Sequence, residues 1–388
     1  MTAVTLVHWT EAGQARSARW RSETGAAPPR RLQIADDTLS ADTAFRLASE
    51  GTALLWRGDF QNARQLLQAI ARRIDKPRKP RKHAVTDAPL DVFNLHRQAQ
   101  SQRARTLSML LLEFDGAHHL ALRRAPDVTL ACTEVYGPGD LAQGCYLASM
   151  RELLGLISAH EWRKKGVAIA ALDGAQIHPH YGVFAPIRGD YLALLTNAPL
   201  PPALDAASLA FDIGTGTGVL AAILLQRGVQ RVLATDLDPR ALACARENLQ
   251  RLGLTSRVAL QEVNLFPAGR APLIVCNPPW LPARPSSPLE HAVYDPDSRM
   301  LRGFLDGLAA HLAPGGEGWL ILSDLAEHLA LRPRTELLAW IEAAGLQVLS
   351  RLDTQPLHPK VLDVQDALHA ARAAETTSLW RLGIKGDV

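Results

Sequence analysis

Residues Phe211–Leu220 read FDIGTGTGVL. An apolar run of strand length meets three alternating glycines, and a second apolar run continues with helical character. Glycines at 214, 216 and 218 permit positive φ and carry no Cβ, so a ligand can approach the backbone where the helix begins. Outward from this stretch, short apolar runs alternate with amphipathic segments, the mark of a parallel sheet covered by helices on both faces. Strands are predicted at Leu209–Ile213, Arg231–Thr235, Val258–Glu262, Leu273–Cys276, Gly318–Ser323, Leu346–Leu352 and Ser378–Leu382. Helices are predicted at Gly218–Arg227, Pro239–Leu252, Met300–Leu312 and Arg334–Ala344. Asp238 and Pro239 suit the cap and first turn of the second helix.

The glycine spacing is G-x-G-x-G; a dinucleotide fingerprint would need a third glycine at 219, which is Val219. Asp212 precedes the loop, where an acid repels a pyrophosphate and welcomes a cationic amine. Asp236, in ATDLDP, follows Gly214 at a distance suited to accepting bonds from ribose hydroxyls. The most specific element is Asn277-Pro278-Pro279-Trp280, closing the run IVC. The prolines fix φ and remove N–H donors. The Asn277 carboxamide oxygen and the Pro278 carbonyl can together accept both hydrogens of a planar –NH2 group. Trp280 offers a flat face, and on this reading its surface is needed and its indole N–H is not.

Chain length, 388 residues, allows two or three domains. A hydrophobic fraction of 47% and a charged fraction of 21% exclude a disordered or fibrous chain. No apolar run reaches the ~18 residues of a membrane span, and the four scattered cysteines form neither a disulfide framework nor a C-x-x-C metal pair. No metal site and no membrane partner are expected, and the predicted location is cytoplasmic. Charge divides the chain: residues 1–165 carry a net +7 and the remainder −4, which suggests two domains with different partners. The excess concentrates in Arg72–Lys82, where Pro77 and Pro80 argue against a helix and either a solvated linker or phosphate contact fits. The front half reads as mixed α/β: strands at Val4–Trp9 and Thr52–Trp56, a helix at Phe60–Arg73, a hairpin turning at Asp115-Gly116 between Leu107–Phe114 and His119–Leu122, and a helix at Leu147–His160. A second hairpin is predicted at Val167–His178. The expected domains are 1–165, for accessory recognition, and 166–388, with 166–198 as hairpin and lead-in. His178 and His180 are read as satisfied or surface histidines, Cys276 as a small core residue, and the proline-rich stretch from Pro282 to Pro288 as a lid or a connector.

The order of acid-plus-glycine loop, second acid and NPPW resembles class I S-adenosylmethionine-dependent methyltransferases of the NPP(Y/F/W) group, over about Val167 to the C-terminus. The resemblance implies a Rossmann-like domain with a seven-stranded, mostly parallel sheet, and S-adenosyl-L-methionine as cofactor. It assigns cofactor contact to Asp212, Gly214, Gly216, Gly218, Asp236 and Asn264, although the family places an acid where Asn264 stands. It assigns the methyl acceptor to Asn277, Pro278 and Trp280. Two substrates fit. NPPWLP and LAPGG look like HemK-type glutamine methyltransferases, but Pro186-Ile187-Arg188-Gly189-Asp190 departs from that family's proline-arginine signature. Gly182–Phe184, Asn264 and the basic front half resemble the "small domain" RNA methyltransferases. The implied partner is a nucleic-acid base or a translation-related protein; the oligomeric state is open. A non-catalytic binding module on the same scaffold is the rival class, and a nucleotide-linked oxidoreductase is disfavoured by Val219.

Overall fold

The computed structural model describes residues 5–76, 88–187, 189–204, 209–285, 288–356, 361 and 363–386. It resolves into two compact units, residues 1–86 with 95–161 and residues 87–94 with 162–388.

The first unit is built on a six-stranded sheet in the spatial order Leu6–Glu11, Gln14–Trp20, Tyr146–Ser149, Leu110–Phe114, Thr52–Trp56, Arg31–Ala35. Thr52–Trp56 forms as predicted, and the predicted first strand is Leu6–Glu11, with Val4 outside the described residues. The helix Phe60–Ile74 takes in Arg72 and Arg73 before Asp75 caps it; the rest of the basic run from Pro77 onward lies outside the described residues. Two expectations fail here. The Asp115-Gly116 turn closes no hairpin: Leu110–Phe114 is central, paired on both sides, and His119–Leu122 adds only a Phe114–Leu120 bridge. The Asp115 carboxylate instead accepts the N–H groups of Ala117 and His119 at 2.9 and 2.8 Å, a side-chain turn that competes with strand pairing. Leu147–Ser149 is strand rather than helix, and the helix runs Met150–Lys165. The boundary was written in Ser149-x-x-Glu152: the Ser149 hydroxyl accepts the Glu152 N–H at 3.0 Å.

In the second unit, a short antiparallel pair, Val167–Ala168 with Gln176–Ile177, supplies the predicted second hairpin. Seven strands follow: β1 Leu209–Ile213, β2 Arg231–Asp236, β3 Val258–Glu262, β4 Ala271–Cys276, β5 Leu312–Ser323, β6 Leu346–Thr354 and β7 Thr377–Ile384. Their order is β3-β2-β1-β4-β5-β7-β6. All neighbours are parallel except β7, antiparallel to both β5 and β6. The covering helices are α1 Val219–Gln226, α2 Pro239–Arg251, α3 Arg299–His311 and α4 Arg334–Ala343. The α/β class and the seven strands are as expected from sequence.

In the central strands β4 and β5 the apolar runs are continuous because both sheet faces are buried there. Leu273 and Val275 of β4 point into one layer with α1, whereas Ile274 and Cys276 point into the other with α3 and α4. A smaller cluster joins Phe93, Leu281, Leu325, Leu329 and Leu368, so residues 87–94 pack as part of this unit. Among the described residues no helix is long and apolar enough to cross a membrane.

Candidate active site

Parallel strands aim their C-terminal ends at one edge, and the predicted residues collect there. Thr235 on β2 pairs with Ile213 on β1, and Cys276 on β4 pairs with Ile213 from the other side. Asp236, Gly214 and Asn277 therefore leave three adjacent strands together.

The loop after β1 turns on φ of +72°, +55° and +81° at Gly214, Gly216 and Gly218. The N–H groups of Gly214 and Thr215 both donate to the Thr235 carbonyl, at 2.9 and 2.8 Å. The three glycines differ in what a Cβ would meet. At Gly214 it would fall 2.5 Å from Met300 Cε; at Gly218 it would press on Ala245 at 3.3 Å. At Gly216 only the Gly214 carbonyl comes as near as 4.0 Å. Gly218 is thus a packing glycine between loop and α2, and Gly216 opens outward, where a ligand can lie on the backbone.

Asp212 is fully buried. One carboxylate oxygen, Oδ2, accepts the Thr215 hydroxyl at 2.7 Å and the Ala221 N–H at 3.2 Å. The other, Oδ1, is buried without a hydrogen-bond partner among the described residues. Burial pushes the carboxyl up to about 7, against the pull of the Thr215 and Ala221 bonds and with a push from Asp236. Burial also raises Asp236, although the N–H groups of Asp238 and Gly216 each donate to it at 3.0 Å. Two acids that meet only neutral donors among the described residues, one with an orphaned oxygen, fit a ligand that carries an ammonium group and hydroxyls. Asp238 caps α2 by accepting the Arg240 N–H at 2.8 Å, leaving Asp236 to the loop.

Asn264 stands exposed in the bend after β3. Its neighbour Leu265 has φ +62°, and the Leu265 carbonyl accepts the Thr235 hydroxyl at 2.6 Å, which ties this bend to β2.

Beyond β4, Pro278 is buried while Asn277 and Trp280 are half-buried. Trp280 packs against both apolar layers. Its indole N–H donates to Asn277 Oδ1 at 2.9 Å. The expectation that only the flat surface at 280 matters meets a difference here: the N–H is engaged, and with the oxygen assigned to the acceptor.

Several residues at this edge escaped the sequence reading. Asn248 on α2 is fully buried; its Oδ1 accepts the His178 N–H at 2.7 Å, and its Nδ2 donates to the Thr217 carbonyl at 3.1 Å and the His178 carbonyl at 3.3 Å. One amide thereby clamps the glycine loop to the lead-in. Asp295 accepts the N–H groups of Met300 at 2.9 Å and Leu301 at 3.1 Å, and its own N–H donates to the Leu281 carbonyl at 2.8 Å. Asp297 and Ser298, at φ +59° and +53°, complete the turn that lays Met300 on Gly214. No local pattern signals any of these; an Asn on a buried helix face is the nearest to a clue. The histidines are satisfied, His178 against the Arg163 carbonyl at 2.6 Å and His180 against Glu247 at 2.7 Å. Cys276 is core, its thiol pushed up by burial. Arg188, Ser286 and Ser287 lie outside the described residues.

Residues 174–332 match the family described as methyltransferase small domain. A release factor glutamine methyltransferase from Cereibacter sphaeroides is 36% identical over 175 residues, which are 42% of this chain and 58% of that protein. A ribosomal protein L11 methyltransferase from Pelotomaculum thermopropionicum is 34% identical over 143 residues, 36% of this chain and 39% of that protein. A solved structure of ribosomal protein L11 methylase from Lactobacillus delbrueckii subsp. bulgaricus aligns with 55% of this chain and 87% of its own at 20% identity, TM-score 0.37. The chain spans less than two thirds of the length of either curated relative.

Proposed function

We propose that this chain, whose residues 174–332 match the family described as methyltransferase small domain, is a class I S-adenosylmethionine-dependent enzyme that methylates a planar amide nitrogen, that of a glutamine side chain in a translation-related protein. The observation that carries the reading is the Asn277-Pro278 turn, which leaves β4 beside the glycine loop. An amide oxygen and a carbonyl there suit the two hydrogens of a planar –NH2 group. The likeness to a release factor glutamine methyltransferase supports the same acceptor. A nucleobase amino group is the second reading, favoured by the net +7 of residues 1–165, which we assign to substrate selection.

S-adenosylmethionine, when bound, supplies a methyl group already activated by its sulfonium. Asp212 and Asp236 would hold its ammonium and ribose ends, and Gly216, the most open of the three loop glycines, would leave room for it. The chain then has to orient a nucleophile. Asn277 Oδ1 and the Pro278 carbonyl receive the acceptor's N–H groups, which turns the nitrogen's electron density toward the methyl carbon. The nitrogen so oriented would take the methyl from the sulfonium, the carbon–sulfur bond breaking as the nitrogen–carbon bond forms, and its surplus proton would pass to water. No side chain here needs to act as a base. Orientation of this kind is worth about 7–11 kcal/mol when reacting atoms meet near 3–3.5 Å.

Asn277→Ala tests the assignment: turnover is expected to fall about 100- to 1,000-fold, with calorimetric affinity for S-adenosylmethionine nearly intact. The acceptor class is read by incubating the full chain with methyl-labelled cofactor and a cell extract. Label released by protease and not by ribonuclease supports glutamine; the reverse moves the acceptor to RNA. Full turnover in Asn277→Ala removes the amide-acceptor reading, and cofactor binding without any turnover leaves a binding module.

A further inference from the structure

We propose that Trp280 acts on the methyl acceptor through its indole N–H, as a positioning residue that decides which end of the Asn277 carboxamide meets the incoming –NH2. A carboxamide presents an oxygen at one end and an NH2 at the other, and rotation by half a turn exchanges them with little change of shape. Only the oxygen can receive an acceptor's N–H; the reversed amide would set donor against donor. The indole N–H is a donor and nothing else. Its 2.9 Å bond to Asn277 Oδ1 therefore exists in one of the two amide states, and that state is the productive one. An amide oxygen has two acceptor sites, so one remains for the substrate.

The surroundings make Trp280 a firm reference point. Its ring packs against the apolar layers on both sides of the sheet. Between it and Asn277 stand two prolines with fixed φ, the first of them buried. The next residue, Leu281, donates its N–H to the Val293 carbonyl at 3.1 Å and receives the Asp295 N–H at 2.8 Å. The donor is thus carried by a stiff turn pinned at both ends. A net hydrogen bond between neutral groups corresponds to a bias of about 2- to 13-fold between the two amide states. This reaches past a stacking face: phenylalanine supplies a face and cannot supply the bias.

The turnover consequence rests on the proposed amide transfer, so the test has two arms. In the first, indole 15N–1H signals are recorded for the full chain and for Asn277→Ala. The Trp280 signal is expected to move upfield when its acceptor is removed; an unmoved signal overturns the proposal whatever the reaction. In the second, Trp280→Phe is compared with Trp280 replaced by β-(3-benzothienyl)alanine, which keeps the two-ring face and puts sulfur in place of the N–H. With a glutamine-containing peptide as acceptor, both replacements are expected to lower kcat by about 1.3- to 1.9-fold, because losing a bias of about 2- to 13-fold takes the productive amide state down to about half, while KM and calorimetric affinity for S-adenosylmethionine stay at the parental values. Parental kcat in the benzothienyl variant overturns the positioning role. Should the parent transfer no methyl to the peptide, the glutamine reading fails, and the indole signal still decides the bond.

Discussion

Asp59, in the first unit, and Asp212, at the end of β1 in the second, are shut away from water to 1% and 0% exposure but keep different company. Asp59 caps the helix Phe60–Ile74 and receives Arg124 through two bonds of 2.7 and 2.8 Å and Arg123 through one of 3.0 Å. The Arg124 guanidinium, with help from the Gln61 N–H and Arg123, holds its carboxyl far below the usual carboxylate range. Asp212 is met by a hydroxyl and one amide N–H, and burial raises it to about 7. A buried acid that brings its own cations fastens the chain to itself. A buried acid with neutral donors and one idle oxygen lowers stability when ionised in the free protein, and its cost is offset when it takes up a proton or when a cation arrives from outside.

The strongest way to break this contrast is to neutralise each acid and titrate with S-adenosylmethionine. Asp212→Asn is expected to weaken calorimetric affinity by about 10- to 100-fold, the loss of a charge-assisted bond worth about 1.5–3 kcal/mol, whereas Asp59→Asn leaves it unchanged. Equal affinities in the two variants would place the ligand's ammonium elsewhere. The same pair should diverge in the opposite sense on heating. Without ligand at pH 8, Asp59→Asn lowers Tm by more than about 5 °C, because two arginines lose their partner, and Asp212→Asn raises it by about 2–4 °C.

The contrast sharpens with pH. Folded Asp212 keeps its proton to about 7, whereas the unfolded residue releases it near its ordinary 3.8. Between those values the folded chain binds the extra proton, so this residue's contribution is complete at low pH and is lost as pH rises toward 7. Asp59 runs the other way, lending stability at neutral pH that fades on acidification. The Tm difference between Asp212→Asn and the parent should therefore grow from pH 4 to 7, and a flat difference in scanning calorimetry would refute the raised carboxyl. Smallest of all, Arg123→Ala should shift Tm by less than about 2 °C, since the Arg123 side chain is 75% exposed and Arg124 keeps both its bonds to Asp59.

What could be read without coordinates follows the same divide. In the second unit the central strands are buried on both faces, so LIVC and WLIL carry their assignment in every residue, and Asp238-Pro239 marks the start of α2 to the residue. In the first unit, QARSARW makes the strand Gln14–Trp20 with most side chains exposed, and nothing periodic betrays it. Asp115-Gly116 misled because a turn dipeptide cannot tell whether the strand before it already has two neighbours. At the candidate site, Asp212, Asp236 and Asn277 were legible because strand ends and fixed spacings gather them. Asn248 and Asp295 were not, since their bonds to His178, Thr217 and Leu281 join segments that meet only after folding; the Trp280–Asn277 bond lies within one turn but depends on side-chain rotamers that the sequence does not state.

Phe93 gives the chain's order of synthesis a meaning. It is 3% exposed, seated among Leu281, Leu325, Leu329 and Leu368, yet it leaves the ribosome roughly 190 residues before the first of these. At 5–20 residues per second that is about 10–40 s during which an aromatic side chain has no native seat. A fragment beginning near Val167 would never receive it, and the four leucines would meet water instead. The turn that carries Asn277 and Trp280 is continued by Leu281, the first residue of that waiting pocket, so the edge proposed to meet the acceptor is finished by a segment made long before it.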